Sequence, residues 1–454
     1  MPQVKIVAVG AASASFGLTI LRDVLGCQDL DGSHLALVDI NEPGLRTMRR
    51  AGERMIACAG SSTTVSSTTD VREALPDASY VIVSVAVARL EGWRMDWEVP
   101  LRYGIKQILA ENGGVGGLFQ LLRNFPPILD VARAMEDLCP DALLINFANP
   151  VPRVVHALSR YTDIRAIGLC HGLEIMRNLF SRWLDLPAPE IHLTAAGINH
   201  FTWILDARHR GDNEDLYPRI AELCFSDNPP PDEPLCQALF RRFGYFPTCG
   251  DNHTGEFIPN GMVEDVHPFA MEPPEDWPEA YPDRADRPFG WVGHPWRFDY
   301  EGSARARDEL RERLRRIADG EEDPSGLLGQ EPSEYLLRIL LSIERDEDWL
   351  CPAVNVPNNG WVTNVPYEGA IEVPAMVNGL GVQPQVVGEM PEALAYFVAQ
   401  QLLIQPLAAK AAVEGDREAA LQALSLEPAV GCLDAAEAAF DDLLSLQSQW
   451  LPQF

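Results

Sequence analysis

No apolar stretch of this chain approaches the ~18 uninterrupted residues that a membrane-spanning helix needs, so no membrane span is expected. The start, Met1-Pro2-Gln3-Val4-Lys5, lacks the apolar core and the small-residue cleavage site of a secretory leader and runs directly into a strand pattern. A cytoplasmic protein is the expectation. Positive charge is scarce: 36 Lys and Arg face 66 Asp and Glu, a formal net charge of −30. That field opposes nucleic acid and anionic membrane surfaces, and solubility is its plain physical reading. An anionic substrate would need local arginines to oppose it. The nine cysteines, at 27, 58, 139, 170, 224, 236, 249, 351 and 432, are odd in number and scattered, with no Cys-x-x-Cys. This excludes a disulfide framework and a zinc-finger array. Most read as buried thiols acting as small hydrophobes.

What is present is a globular composition, 46% apolar and 22% charged over 454 residues. At roughly 150 residues per domain, two or three domains are expected. Val4–Val9, His34–Asp39, Thr63–Ser67, Tyr80–Val85, Ala142–Phe147 and Arg165–Cys170 read as strands, most of them continuous apolar runs of the buried parallel type. Helical patterns open at Leu18 and near Leu173, and another covers Pro126–Asp137. Alternation of strand and helix predicts a doubly wound parallel sheet, an N-terminal Rossmann-like domain over 1–195. From 196 to 454 the pattern changes to a mixed α+β domain with a helical C-terminus, as in lactate and malate dehydrogenases. Ile191–Phe201 reads as one strand continuing to Leu205. Glu272–Phe298, rich in Pro and Trp, reads as a long irregular excursion, and Ser303–Ile317 as a charged amphipathic helix. Trp361–Pro366 and Ala370–Pro374 read as short extended segments, Pro391–Gly415 and Cys432–Gln449 as helices.

Ligands of such sheets sit beyond the carboxyl ends of the strands. Asp39, Asn149, Cys170 and His171 all fall at such ends. The first turn, Gly10-x-Ala12-x-x-Phe16-Gly17, departs from strict G-x-G-x-x-G. Gly10 suits a tight turn, Ala12 is small enough for backbone to approach a pyrophosphate, and Ser13 offers a hydroxyl. Asp39 would accept from a ribose hydroxyl and so prefers NAD to NADP. Cys170 and His200 offer a thiolate and an imidazole, a donor set that suits Mn, Fe, Co, Ni or Zn. His171 is a candidate acid or base, and Asn149 a candidate donor to a sugar hydroxyl. Phe243-Gly-Tyr-Phe-Pro-Thr-Cys-Gly-Asp-Asn-His253 gathers a Tyr, an Asp and a His into one loop, a source for a base.

VGAASASFG, the LVDI strand end, GGVGGLFQLLRNFP (113–126), NFANPV (146–151), GLCHG (168–172), GINHF (197–201), FGYFPT (243–248) and NNGWVTNVPYEGAIEVP (358–374) occur in the order of glycoside hydrolase family 4, which the chain resembles over nearly its whole length. That family is an exception to two-carboxylate glycoside hydrolysis. The resemblance implies NAD, a divalent metal (usually Mn2+), and a homodimer or homotetramer acting on a small-molecule glycoside. It implies oxidation of the sugar at C3, removal of the acidified C2 proton, loss of the C1 leaving group, addition of water and reduction at C3. By resemblance Cys170 and His200 hold the metal, Asn149, Asn112 and Arg94 meet the substrate, and His171 lies near the C2 and leaving-group chemistry. The base is Tyr245 or Asp251, with Tyr245 slightly favoured because metal charge would lower its pKa from about 10.

Cys-His-Gly resembles the α-glucuronidase and α-galacturonidase branch, so an α-linked hexuronide is the first expectation, with neutral α-galactosides or α-glucosides close behind. Arg89, Arg94, Arg123 and Arg242 are the candidates for a substrate carboxylate. From another class, a 2-hydroxy-acid dehydrogenase of the malate or lactate type would share the N-terminal fold but would need neither thiol nor metal.

Overall fold

The computed structural model describes residues 3–14, 16–264, 269–270, 291–292, 300–328 and 335–454. The Glu272–Phe298 excursion therefore lies outside the described residues, except for Trp291–Val292, whose backbone pairs with Phe269–Ala270.

One sheet organises the rest. Its strands, numbered along the chain within it, are β1 (Lys5–Val9), β2 (His34–Val38), β3 (Thr64–Thr68), β4 (Tyr80–Val83), β5 (Leu143–Asn146) and β6 (Arg165–Gly168), then β7 (Ile191–Ile198), β8 (Phe201–His209), β9 (Phe246–Pro247), β10 (Trp349–Pro357), β11 (Ala370–Asn378) and β12 (Gly381–Pro384). The spatial order is β3-β2-β1-β4-β5-β6-β10-β11-β7-β8-β9, with β12 on β11. The first six are parallel and run 3-2-1-4-5-6, the doubly wound Rossmann-like order. The antiparallel strands of the C-terminal part extend the same sheet, joined at Asn355 beside Gly168.

Period-two alternation divides the strands between two cores. Ile6, Ala8, Leu35 and Leu37 enter one apolar cluster, while Val7, Val9, Ala36 and Val38 enter the other. Each Ile, Leu or Val among them, fully buried, contributes roughly 1.5–3 kcal/mol. Helices cover both faces, as an all-parallel segment requires. Among the described residues no helix is long and apolar enough to cross a membrane.

The strand read across Ile191–Leu205 is two strands. β7 and β8 form a hairpin in which Ile198 pairs with Phe201. Asn199 and His200 make the turn, His200 at φ 69°. Both arms are apolar and the turn holds no glycine of its own, so the break leaves little trace in the hydrophobic pattern. Helix Gly114–Leu138 begins well before Pro126. Its opening glycines pack too closely for side chains: a Cβ on Gly117 would lie 2.3 Å from backbone of Asn112, and one on Gly113 2.4 Å from Glu256 O. Trp361–Pro366 forms no strand of the sheet; the strand of this region that pairs with β11 on its β6 side is β10, upstream of it.

Candidate active site

The strand order reverses between β1 and β4, and a cleft opens there at the carboxyl ends, as the switch-point rule predicts. Its volume is about 260 Å3. Gly10, Ala12, Ser13, Phe16, Asp39 and Asn149 all line it. Gly10 sits at φ 83°, and a Cβ there would lie 2.7 Å from the carbonyl oxygen of Ser84; only glycine fits. Gly17 does not line the cleft. It lets the first helix, Phe16–Gly26, seat on the turn, since a Cβ would fall 2.2 Å from Ala11 O. The hydroxyl of Ser13 accepts the N–H of Phe16 at 3.3 Å, which caps that helix.

Asp39 ties the turn to the end of β2. Its Oδ2 accepts from Ala12 N and its Oδ1 from Asn41 N, both at 2.9 Å. A carboxylate has about four acceptor positions, so capacity remains for a sugar hydroxyl. The ring of Phe16 lies 4.7 Å from that of Phe147 on the cleft wall. Asn124 donates from Nδ2 to the carbonyl of Asn149 at 3.1 Å, fixing that strand end.

The second half of the site lies at the ends of β6 and of the β7–β8 hairpin. Cys170 Sγ and His200 Nε2 are 3.2 Å apart. Two ligands around a tetrahedral ion, at bond lengths of about 2.3 and 2.0 Å, would stand roughly 3.5 Å apart. The pair therefore fits a shared ion after a shift of a few tenths of an ångström. Glu372 of β11 holds the hairpin turn, accepting from Asn199 Nδ2 at 2.7 Å, Thr202 Oγ1 at 2.8 Å and Asn355 Nδ2 at 2.9 Å. A hydrogen bond from Cys249, and after it the charge of His200, hold the Cys170 thiol well below its ordinary value. Burial opposes protonation of His200, but the charge and hydrogen bond of Cys170 push it up to about 9. Each group thus favours the charged form of the other, and a bound cation would displace the proton between them.

Of three neighbours, His253 is the histidine of the Phe243–His253 loop, while Glu256 and Glu111 were not singled out from the sequence. The His253 ring lies 4.1 Å from that of His200. Glu256 accepts from the backbone of Glu111 at 2.7 Å and of Asn112 at 3.0 Å, and burial pushes it up to about 7. Glu111 lines the cleft, and its charge acts on His200; it joins the two halves. His-x-x-Glu at 253–256 was the signal available, but nothing local marks a loop as folded onto Cys170.

The expected residues are held by a variety of partners. Asp251 is buried and accepts the N–H groups of Leu235 and Cys236, each at 2.8 Å, at the start of helix Pro234–Phe243; its oxygens are engaged in capping. Tyr245 is half-buried, edge-on to Tyr217 at 6.3 Å, and is not among the residues lining the cleft. Asn112 is buried and donates to Glu256 Oε2 at 3.2 Å. Arg94 pairs with Glu98 at 2.7 Å on its own helix, and Arg242 is exposed on helix Pro234–Phe243. Arg123 is fully buried against Asp96. Of the four arginines considered, Arg89 lines the cleft, beside Arg307 and Arg311. Burial, then the charges of Arg89 and Arg311, lower Arg307 to about 10. His171 is exposed at the N-terminus of helix Gly172–Leu184, and its charge reaches Cys170.

The family 4 glycosyl hydrolase model matches residues 5–186, and the model of that family's C-terminal domain matches 195–430. The chain belongs to the family 4 glycosyl hydrolases. It is 29% identical to an α-glucosidase of Erwinia rhapontici, with 98% of each chain covered. It is also 29% identical to an α-galactosidase of Bacillus subtilis, with 99% of each covered. An α-galacturonidase of Thermoanaerobacterium saccharolyticum is 28% identical over 84% of this chain and 82% of its own. Among solved structures, a 6-phospho-α-glucosidase from gut microorganisms, in complex with NAD and Mn2+, superposes with a TM-score of 0.81 at 20% identity over 100% of both chains. A malate dehydrogenase of Cryptosporidium parvum shares the fold more distantly, with a TM-score of 0.51, 14% identity and 90% and 100% of the two chains covered. In this family 4 hydrolase the glycosidase assignment displaces the dehydrogenase alternative.

Proposed function

We propose that this hydrolase cleaves α-linked hexopyranosides with NAD in the cleft and a divalent ion, Mn2+ by resemblance, between Cys170 and His200. The observation that carries the reading is the 3.2 Å approach of these two side chains, at the strand-end edge of the sheet whose switch point forms the cleft. When bound, the dinucleotide exchanges a hydride with sugar C3 and the ion polarises the C2 and C3 oxygens.

The chain's own groups supply the rest. The turn from Gly10 and the start of helix Phe16–Gly26 present N–H groups and positive dipole to a pyrophosphate, and Asp39 takes a ribose hydroxyl. Asn149, held by Asn124, orients substrate hydroxyls. A carbon-bound proton leaves readily only where the resulting charge is stabilised, so its acceptor must stand beside the ion. Glu111 meets that condition, lining the cleft while its charge reaches His200; Tyr245 and Asp251 meet it less well. His171, exposed beside Cys170, is the group for the leaving-group oxygen.

Arg89 in the cleft supports an α-hexuronide, whose carboxylate needs a cation in a chain of charge −30. The relatives named α-glucosidase and α-galactosidase favour neutral hexosides. The division at 195/196 rests on the change of sequence pattern there, and a cytoplasmic homodimer or homotetramer is the setting that the resemblance supplies.

The test is a panel of p-nitrophenyl α-glucuronide, α-galacturonide, α-galactoside and α-glucoside, each with and without NAD+ and Mn2+. Nitrophenol release that needs both, without net NADH, is expected. Release that needs neither would overturn the reading. Arg89→Ala separates the sugar classes: it abolishes uronide cleavage while sparing any neutral one.

A further inference from the structure

Cys249 comes from the loop after β9, and its buried thiol lies against the donors of Cys170 and His200. Its Sγ, that of Cys170 and a ring nitrogen of His200 all lie within 4.8 Å of one another. The backbone is bent to put it there. Cys249 sits at φ 78°, an uncommon state for a residue carrying a Cβ and one that concentrates at functional sites.

A second observation comes from the other side of the cluster. A Cβ on Gly172 would lie 2.8 Å from Cys249 Sγ, 3.3 Å from Cys249 Cβ and 3.8 Å from Cys170 Sγ. The glycine of Cys-His-Gly is thus the space that the second thiol occupies. A side chain there would force Cys249 to shift.

We propose that Cys249 is a third protein ligand of the ion held by Cys170 and His200. This rests on the reading above that an ion binds there. Two thiolates and one imidazole leave the site open to the sugar C2 and C3 oxygens in a five-coordinate shell, the open pattern of catalytic rather than structural sites. The donor set is softer than a single Cys-His pair, and it prefers Zn2+, Co2+ or Fe2+ to Mn2+, which favours oxygen ligands. Binding releases thiol protons and changes no oxidation state.

The test loads chelator-stripped, reduced protein with Co2+ and reads the thiolate-to-cobalt charge-transfer absorption per bound ion. Wild type is compared with Cys249→Ser, Cys249→Gly and Cys170→Ser. Glycine accepts the left-handed backbone, and far-UV circular dichroism confirms folding of each. About twice the intensity in wild type as in either Cys249 variant is expected. The preference for Zn2+ over Mn2+ in direct competition should fall on the order of tenfold or more in those variants, at least the scale on which outer-shell partners act. Equal intensity and equal preference would overturn the third ligand and leave the Cys170–His200 ion standing. Absence of charge transfer in wild type, matching Cys170→Ser, would remove both.

Discussion

The methyl of Ala12 faces Gly44. A Cβ on Gly44 would lie 2.9 Å from it and 2.8 Å from Asn41 Nδ2. Ala12 takes the place of a glycine in the nucleotide turn, and the extra carbon is absorbed by a missing one in the first turn of helix Glu42–Ala59. Gly44→Ala should therefore destabilise by about 1–3 kcal/mol, as overpacking does, although alanine is the better helix former. Ala12→Gly in the same chain should restore most of the loss. A urea double-mutant cycle measures the coupling, and additive effects would show that the two positions do not share this space.

Glu372 positions His200 without touching it, through Asn199 and Thr202. Glu372→Gln puts a donor where two amide donors already point. The folded protein should then bind Mn2+ ten- to a hundredfold more weakly, on the order found for outer-shell partners. Electron paramagnetic resonance of free Mn2+ reads this directly. Unchanged affinity would mean that the hairpin holds its turn unaided.

The doubly wound parallel sheet was legible because buried parallel strands are short apolar runs, and their ends could be counted. The ends at Asp39, Asn149 and Cys170 then located the cleft and the thiol. The β7–β8 turn was not legible, since Asn199-His200 lacks the glycine that punctuates most hairpins. Nor were Cys249 and Glu256: their neighbours, Cys170 and Asn112, are distant in sequence, and contact between distant segments leaves no periodicity. The capping role of Asp251 was not legible either, because the helix N-terminus it caps lies sixteen and fifteen residues away in sequence.

Arg123 and Asp96 form a pair with no exposed side-chain surface. Gln447 joins it, donating to Asp96 Oδ1 at 2.7 Å. The pair links helix Arg89–Arg102 to helix Gly114–Leu138, which carry Arg89 and Gln120 on the cleft wall. Asp96→Leu leaves a buried guanidinium unmatched and should cost about 3–5 kcal/mol. Asp96→Leu with Arg123→Met removes both charges and should recover most of it. Denaturant titration decides, and a double variant as weak as the single one would contradict the electrostatic account.

His156 gives acid sensitivity of a definite sign. It is buried in helix Val151–Tyr161, and burial, with Arg160 adding to it, lowers its pKa to about 4. The unfolded imidazole titrates near 6.5. Between about pH 4 and 6.5 the unfolded state holds the extra proton, so stability falls as pH falls through that window. The loss approaches about 1.4 kcal/mol per unit, about 3 kcal/mol in all. His156→Leu should flatten this part of the pH dependence. Urea midpoints at pH 5 and 7 check it, and an equal loss in variant and wild type would assign the effect to other groups.

The most direct measurement is cleavage of a reactive α-glycoside in D2O with NAD+ and metal present, followed by mass and NMR analysis of the released sugar. Removal and return of the C2 proton beside the Cys170–His200 ion predicts one solvent deuterium at C2. A sugar released with its C2 hydrogen fully retained would contradict the mechanism proposed for this site.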